Sequence, residues 1–257
     1  MLELIYHATV REVRKDHRNA FVGLLINMMQ TVIFVLTFFL LFALLGMRGS
    51  AIRGDFLLYI MSGIFLFLTH TKAVGAVVGS EGPASPMMQH GPMNTAISIT
   101  AAALASLYLQ TLSLIVVLFV YHVAFVPVVI ENMVGAYAMV LIAWIAGVGV
   151  GMMFLAIKPW APDVARIGSS IYSRTNMIAS GKMFVANSLP SSMLALFDWN
   201  PLFHAIDQAR GFIFLHYNPH FSSWTYPLYV SLGLIMIGLM AEFYTRKNAS
   251  LSWSAGR

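Results

Sequence analysis

Apolar runs of about 20 to 30 residues recur along the chain, at residues 24–45, 56–78, 97–126, 133–157, 167–185 and 226–244, separated by polar or proline-rich stretches. At about 1.5 Å per helical residue, such runs match a hydrocarbon core about 30 Å thick. The pattern predicts an all-α integral membrane protein, six transmembrane helices in one domain spanning residues 1–257. Residues 1–22 follow a different rule. Leu2, Ile5, Tyr6, Val10 and Val13 recur at helical spacing, while Arg11, Glu12, Arg14, Lys15, Asp16 and Arg18 crowd the second half. That is an amphipathic helix lying at the membrane interface. Residues 79–94 hold Pro83, Pro86 and Pro92 among Gly82 and Gly91, which forbids a continuous helix and predicts a structured loop. Within 186–225, the apolar runs 193–197 and 211–215 are too short to cross, so a re-entrant or interfacial helix pair is expected before the last span.

The six runs are not equally apolar. The fifth carries Ser169, Ser170, Ser173, Arg174, Thr175, Asn176, Ser180 and Lys182, so it must face protein or water. Arg174 and Lys182 are eight positions apart, about 80° around a helix, and with Ser170, Ser173 and Asn176 would form one polar stripe. Gly75 with Gly79, and Gly147 with Gly151, have the small-xxx-small spacing of close helix packing within a chain or between copies.

Composition supports the membrane reading: 59% of residues are apolar and only 10% charged, against about a quarter in soluble domains. The absence of cysteine removes disulfides, thiolate metal sites and thiol nucleophiles. Basic residues are asymmetric. Arg11, Arg14, Lys15, Arg18, Lys158, Arg166, Arg246, Lys247 and Arg257 fall on one side of a six-span topology, and Arg48, Arg53 and Arg210 on the other. That bias places both termini in the cytoplasm, and nothing suggests a nucleic-acid partner.

The catalytic inventory is thin. His204 and Asp207 offer an acid–base pair for an intramembrane hydrolase or transferase, but no serine elbow or second carboxylate flanks them. His216 and His220 have metal-ligand spacing, with Pro219 between them interrupting any helix, and no metal site is expected. Gly181-Lys182 lacks the remainder of a phosphate-binding loop, so the chain has no ATP motif of its own. Asn27, Gln30, His70 and Lys72 are the groups that an ion-coupled secondary transporter would use. Aromatic residues such as Phe34, Phe38 and Tyr172 are candidates for stacking on sugar rings, or for the core.

One local segment narrows the field. Ser188-Leu189-Pro190, then Trp199-Asn200-Pro201-Leu202-Phe203-His204 and Arg210, is similar to the segment preceding the last span in permease subunits of type-2 ATP-binding-cassette exporters. Within that family the chain most resembles the capsule and O-antigen polysaccharide branch. Weaker matches are the basic segment from Arg11 to Arg18, Phe65-Leu66-Phe67, and Glu242 to Arg246. The resemblance implies a homodimer in the bacterial inner membrane with two cytoplasmic ATPase subunits, which bind ATP and Mg while this chain carries no cofactor. It implies a polysaccharide or glycolipid cargo, and periplasmic or outer-membrane export proteins beyond. Residues 79–94, with Glu81, Pro83, Pro86, His90 and Pro92, would dock the ATPase. The path would carry Arg174, Lys182, Tyr172 and Asn176, and the periplasmic gate Pro190, Trp199, Asn200, Pro201, His204 and Arg210. Met87, Met88, Gln89 and His90 stand where the family carries a basic residue near a proline pair. Exporters of lipid, teichoic acid or drugs share this architecture.

Overall fold

A computed structural model describes residues 2–15, 20–46, 52–82 and 94–248. All regular secondary structure among them is helical: α1 (Leu2–Lys15), α2 (Ala20–Leu44), α3 (Phe56–Val78), α4 (Thr95–Ala124), α5 (Met133–Ile157), α6 (Pro162–Ala179), α7 (Ser191–Leu194), α8 (Pro201–Ile213) and α9 (Thr225–Asn248), with a 3₁₀ turn at Ala186–Ser188. Five helices, α2, α3, α4, α5 and α9, are long and apolar enough to cross a membrane. The chain is therefore a multi-pass helical membrane protein by character.

Local chemistry sets the boundaries. Asp55 caps α3, its carboxylate accepting from the N–H groups of Leu57 at 2.7 Å and Leu58 at 3.1 Å. Asn132 does the same for α5 through Gly135, and Asn200 for α8 through Leu202. The carbonyls of Phe212 and Ile213 that end α8 accept from Asn132 and Glu131, the residues leading into α5.

The predicted fifth span of 167–185 differs in the structure. Its helix, α6, runs over Pro162–Ala179 and is not among the five apolar helices. Pro162 takes the first-turn position, where a missing N–H is harmless, so the helix starts five residues early. Gly181 adopts φ +72°, a left-handed turn that ends it six residues before 185.

α3 is the spine. It packs on α5, α4, α8, α2 and α6, and 83% of its apolar window is buried, against 22% in α2 and 17% in α9. The last two are a bundle's outer faces, suited to lipid. Glycine brings α5 against α3: a Cβ on Gly147 would lie 2.5 Å from the His70 carbonyl oxygen, and one on Gly151 2.8 Å from the Val77 Cβ. This pair therefore serves packing inside one chain. α1 lays Ile5 and Ala8 on Ile97 and Ala101 of α4.

Candidate functional site

The chemistry gathers around the break between α6 and α8. Irregular backbone buried away from water is tolerated only when its polar groups find partners. Arg210 supplies them here. Its guanidinium, 1% exposed, donates to the carbonyls of Gly181 at 3.0 Å, Phe184 at 2.6 Å and Lys182 at 2.7 Å, and lies 4.4 Å from the Tyr59 ring centroid. Asn200 holds the near end of the break. While its Oδ1 caps α8, its Nδ2 donates to the Asn176 Oδ1 at 2.8 Å and the Ala179 carbonyl at 2.9 Å.

Lys182 turns away from both. Its ammonium, on a side chain that is 3% exposed, lies 3.5 Å from the Phe67 centroid, 4.9 Å from Phe38 and 5.1 Å from Phe34, with no hydrogen-bond partner. Three ring faces thus hold the cation between α2 and α3. Gly63 makes the room: a Cβ there would meet the Lys182 Cβ at 2.8 Å and its carbonyl oxygen at 2.9 Å. The expected helical stripe is corrected accordingly. Arg174 is exposed on α6, whereas Lys182 lies beyond the helix end and points inward. Tyr172 and Asn176 are tied into the interior as well. Tyr172 donates its hydroxyl to the His70 Nε2 at 2.9 Å, while the opposite ring nitrogen donates to the Ala143 carbonyl at 2.9 Å.

His204 and Asp207 are separated in role. The His204 Nε2–H donates to the Asp198 carbonyl at 2.7 Å and its Nδ1 accepts from the Ser223 N–H at 3.1 Å. Asp207 accepts from Ser222 Oγ at 2.6 Å and from the Tyr217 hydroxyl, whose pKa is pushed up by burial and then by Asp207 itself. Each group is committed to loop structure rather than to the other. Trp199 is exposed, its indole N–H donating to the Leu196 carbonyl at 2.8 Å, and Pro190 and Pro201 flank the starts of α7 and α8. His216 and His220 are exposed on non-helical backbone, and no cluster of three metal-ligating side chains occurs among the described residues.

Of the loop residues 79–94, Glu81 is described, its N–H donating to Ser98 Oγ at 3.1 Å. Pro83, Pro86, His90 and Pro92 lie outside the described residues. Nearby, the Lys158 ammonium donates to the Val78 carbonyl at 3.0 Å, and burial lowers its pKa while Glu81 opposes that shift.

Sequence reasoning missed Tyr59 under Arg210, Gly63 beside Lys182, and the His70–Tyr172 bond. The signals were present as a glycine and aromatic residues within an apolar run, but nothing in such a run says which side chain meets which. No known protein-family model matches the chain, and no curated protein matches it.

Proposed function

We propose that this chain is the transmembrane permease subunit of an ATP-driven exporter, moving a polysaccharide or lipid-linked glycan of the capsule or O-antigen type out of the cytoplasm. Two copies form the path, and separate ATPase subunits bind ATP and Mg at the cytoplasmic loops. The protein sits in the bacterial inner membrane with both ends inside.

The observation that carries this reading is the outer face of α6. Eighteen residues at about 1.5 Å each reach about 27 Å, most of a hydrocarbon core, yet Ser170 and Arg174 lie exposed along one side, well inside the helix. Lipid disfavours such a face by several kcal/mol per cation, so it calls for water, a polar cargo or a second protomer. A path between copies supplies all three. The commitment of His204 and Asp207 to separate loop contacts gives a hydrolase reading no comparable support.

Gentle extraction from the native membrane, with mass identification of co-purifying chains, tests this. A nucleotide-binding ATPase at equal stoichiometry, with ATP hydrolysis following the complex, is the expected result. A chain that repeatedly purifies alone and without ATPase activity overturns it. In a reconstituted complex, Arg174→Glu should lower glycan export by about tenfold while assembly persists.

A further inference from the structure

At the end of the bundle where α1, the start of α2 and the end of α3 meet α4, the helices enclose a cleft of about 500 Å³. It reaches Gln30, ten residues into α2 and so about 15 Å along it, roughly half the depth of a hydrocarbon core. Its lining is mixed, with charged and amide groups set among small and apolar side chains. The Lys72 ammonium donates to Gln30 Oε1 at 2.6 Å, and Lys15 lies 3.3 Å from the Glu12 carboxylate. At the floor, Gln110 donates to Asn27 Oδ1 at 3.0 Å, and Asn27 donates to the Leu109 carbonyl at 3.3 Å.

A hydrocarbon chain alone does not suit such a space, because it would leave two ammonium groups and a carboxylate against apolar surface. The position and charge together specify something better. α1 is amphipathic, which sets the mouth of the cleft at the headgroup level, and the outer face of α2 beside it exposes Leu25, Met29 and Val32 to acyl chains. Among the described residues that line it are two cations, Lys15 and Lys72, and one anion, Glu12. That balance suits a zwitterion rather than a multiply charged phosphate.

We propose that this cleft is a binding site for a phospholipid with an amine-bearing headgroup. Lys72 and Lys15 take the phosphodiester, Glu12 takes the headgroup ammonium, and the tails leave along α2. The proposal rests on the cleft alone and stands or falls separately from the export reading.

Gly75 provides a clean way to test it. A Cβ at Gly75 meets nothing within 4 Å, and the residue lines the cleft, so a larger side chain there enters open space without disturbing packed neighbours. The experiment is native mass spectrometry of the full chain titrated with phosphatidylethanolamine, phosphatidylglycerol or inorganic phosphate. Wild-type protein should retain phosphatidylethanolamine about tenfold better than phosphatidylglycerol, and inorganic phosphate should not displace it. Lys72→Gln and Gly75→Leu should each lower retention about tenfold, Lys72→Arg should keep it, and Glu12→Gln should abolish the preference between the lipids. Displacement by inorganic phosphate would reassign the cleft to a free anion and overturn the proposal. Equal retention by wild type and Gly75→Leu, a variant whose fold is checked by its thermal unfolding, would overturn it as well.

Discussion

Arg210 and Lys182 flank the same break in the helical bundle and are almost equally hidden, 1% and 3% exposed, yet the protein accommodates them by opposite means. On the α8 side, a planar fork donates to three carbonyls, of which Gly181 has only a long 3.4 Å bond from the Phe184 N–H besides, and stacks on Tyr59. On the α2 side, a point charge makes no hydrogen bond and rests among three phenyl rings. The difference separates two reasons for burying a cation. Arg210 replaces the hydrogen bonds that an unbroken helix would have made, so the fold needs it. Lys182 satisfies nothing; its surroundings tolerate it.

The largest effect should therefore come from Arg210→Ala, which orphans the carbonyls of Lys182 and Phe184, leaves that of Gly181 with only the long bond from Phe184, and should cost about 3–5 kcal/mol in thermal or denaturant unfolding in detergent. Arg210→Lys should recover less than half of that, since an ammonium cannot match the fork. Next comes Gly63→Leu. Its side chain would run into the backbone of Lys182 as well as its Cβ, and overpacking of this kind costs about 1–3 kcal/mol, with no relief from adding Lys182→Ala. Asn200→Ala should cost about 1–2 kcal/mol by uncapping α8 and releasing Asn176, readable as earlier proteolysis between α6 and α8.

Lys182→Met should change stability by less than about 1 kcal/mol, because replacing a buried charge by an apolar side chain of similar volume is often neutral. A loss as large as that of Arg210→Ala would break the comparison. The smallest effect is at Lys158, outside the spans. Its folded pKa lies below the ordinary lysine value because burial penalises the charged form. The unfolded chain binds the proton more tightly, so stability rises with pH between the lowered folded value and the ordinary one. Lys158→Met should flatten that rise in alkaline unfolding curves.

Much of this arrangement is legible in the residues themselves. The runs at 56–78 and 133–157 appear as α3 and α5 with those boundaries, because Asp55 and Asn132 cap them and apolar length measures transfer into hydrocarbon directly. The run at 167–185 misleads for the same reason. Averaging over its apolar residues hides both the helix-starting Pro162 and the left-handed Gly181. The polarity of that segment sets it apart from the five apolar helices, as the structure does, but the helical spacing of Arg174 and Lys182 presumed a helix that stops between them.

The sequence by itself determines that this chain is helical, which segments suit a membrane, where most helices start, and that 167–185 and 186–225 are exceptions. Those properties depend on neighbours a few residues away. Only the tertiary structure decides that the break is satisfied by Arg210, 28 residues from Lys182, that His70 meets Tyr172 across 102 residues, and that α1 to α4 enclose a cleft holding Lys15, Lys72 and Glu12. Transfer free energy is a sum over single residues, whereas a buried carbonyl or cation requires a partner at a particular point in space. That partner is chosen by how the helices pack.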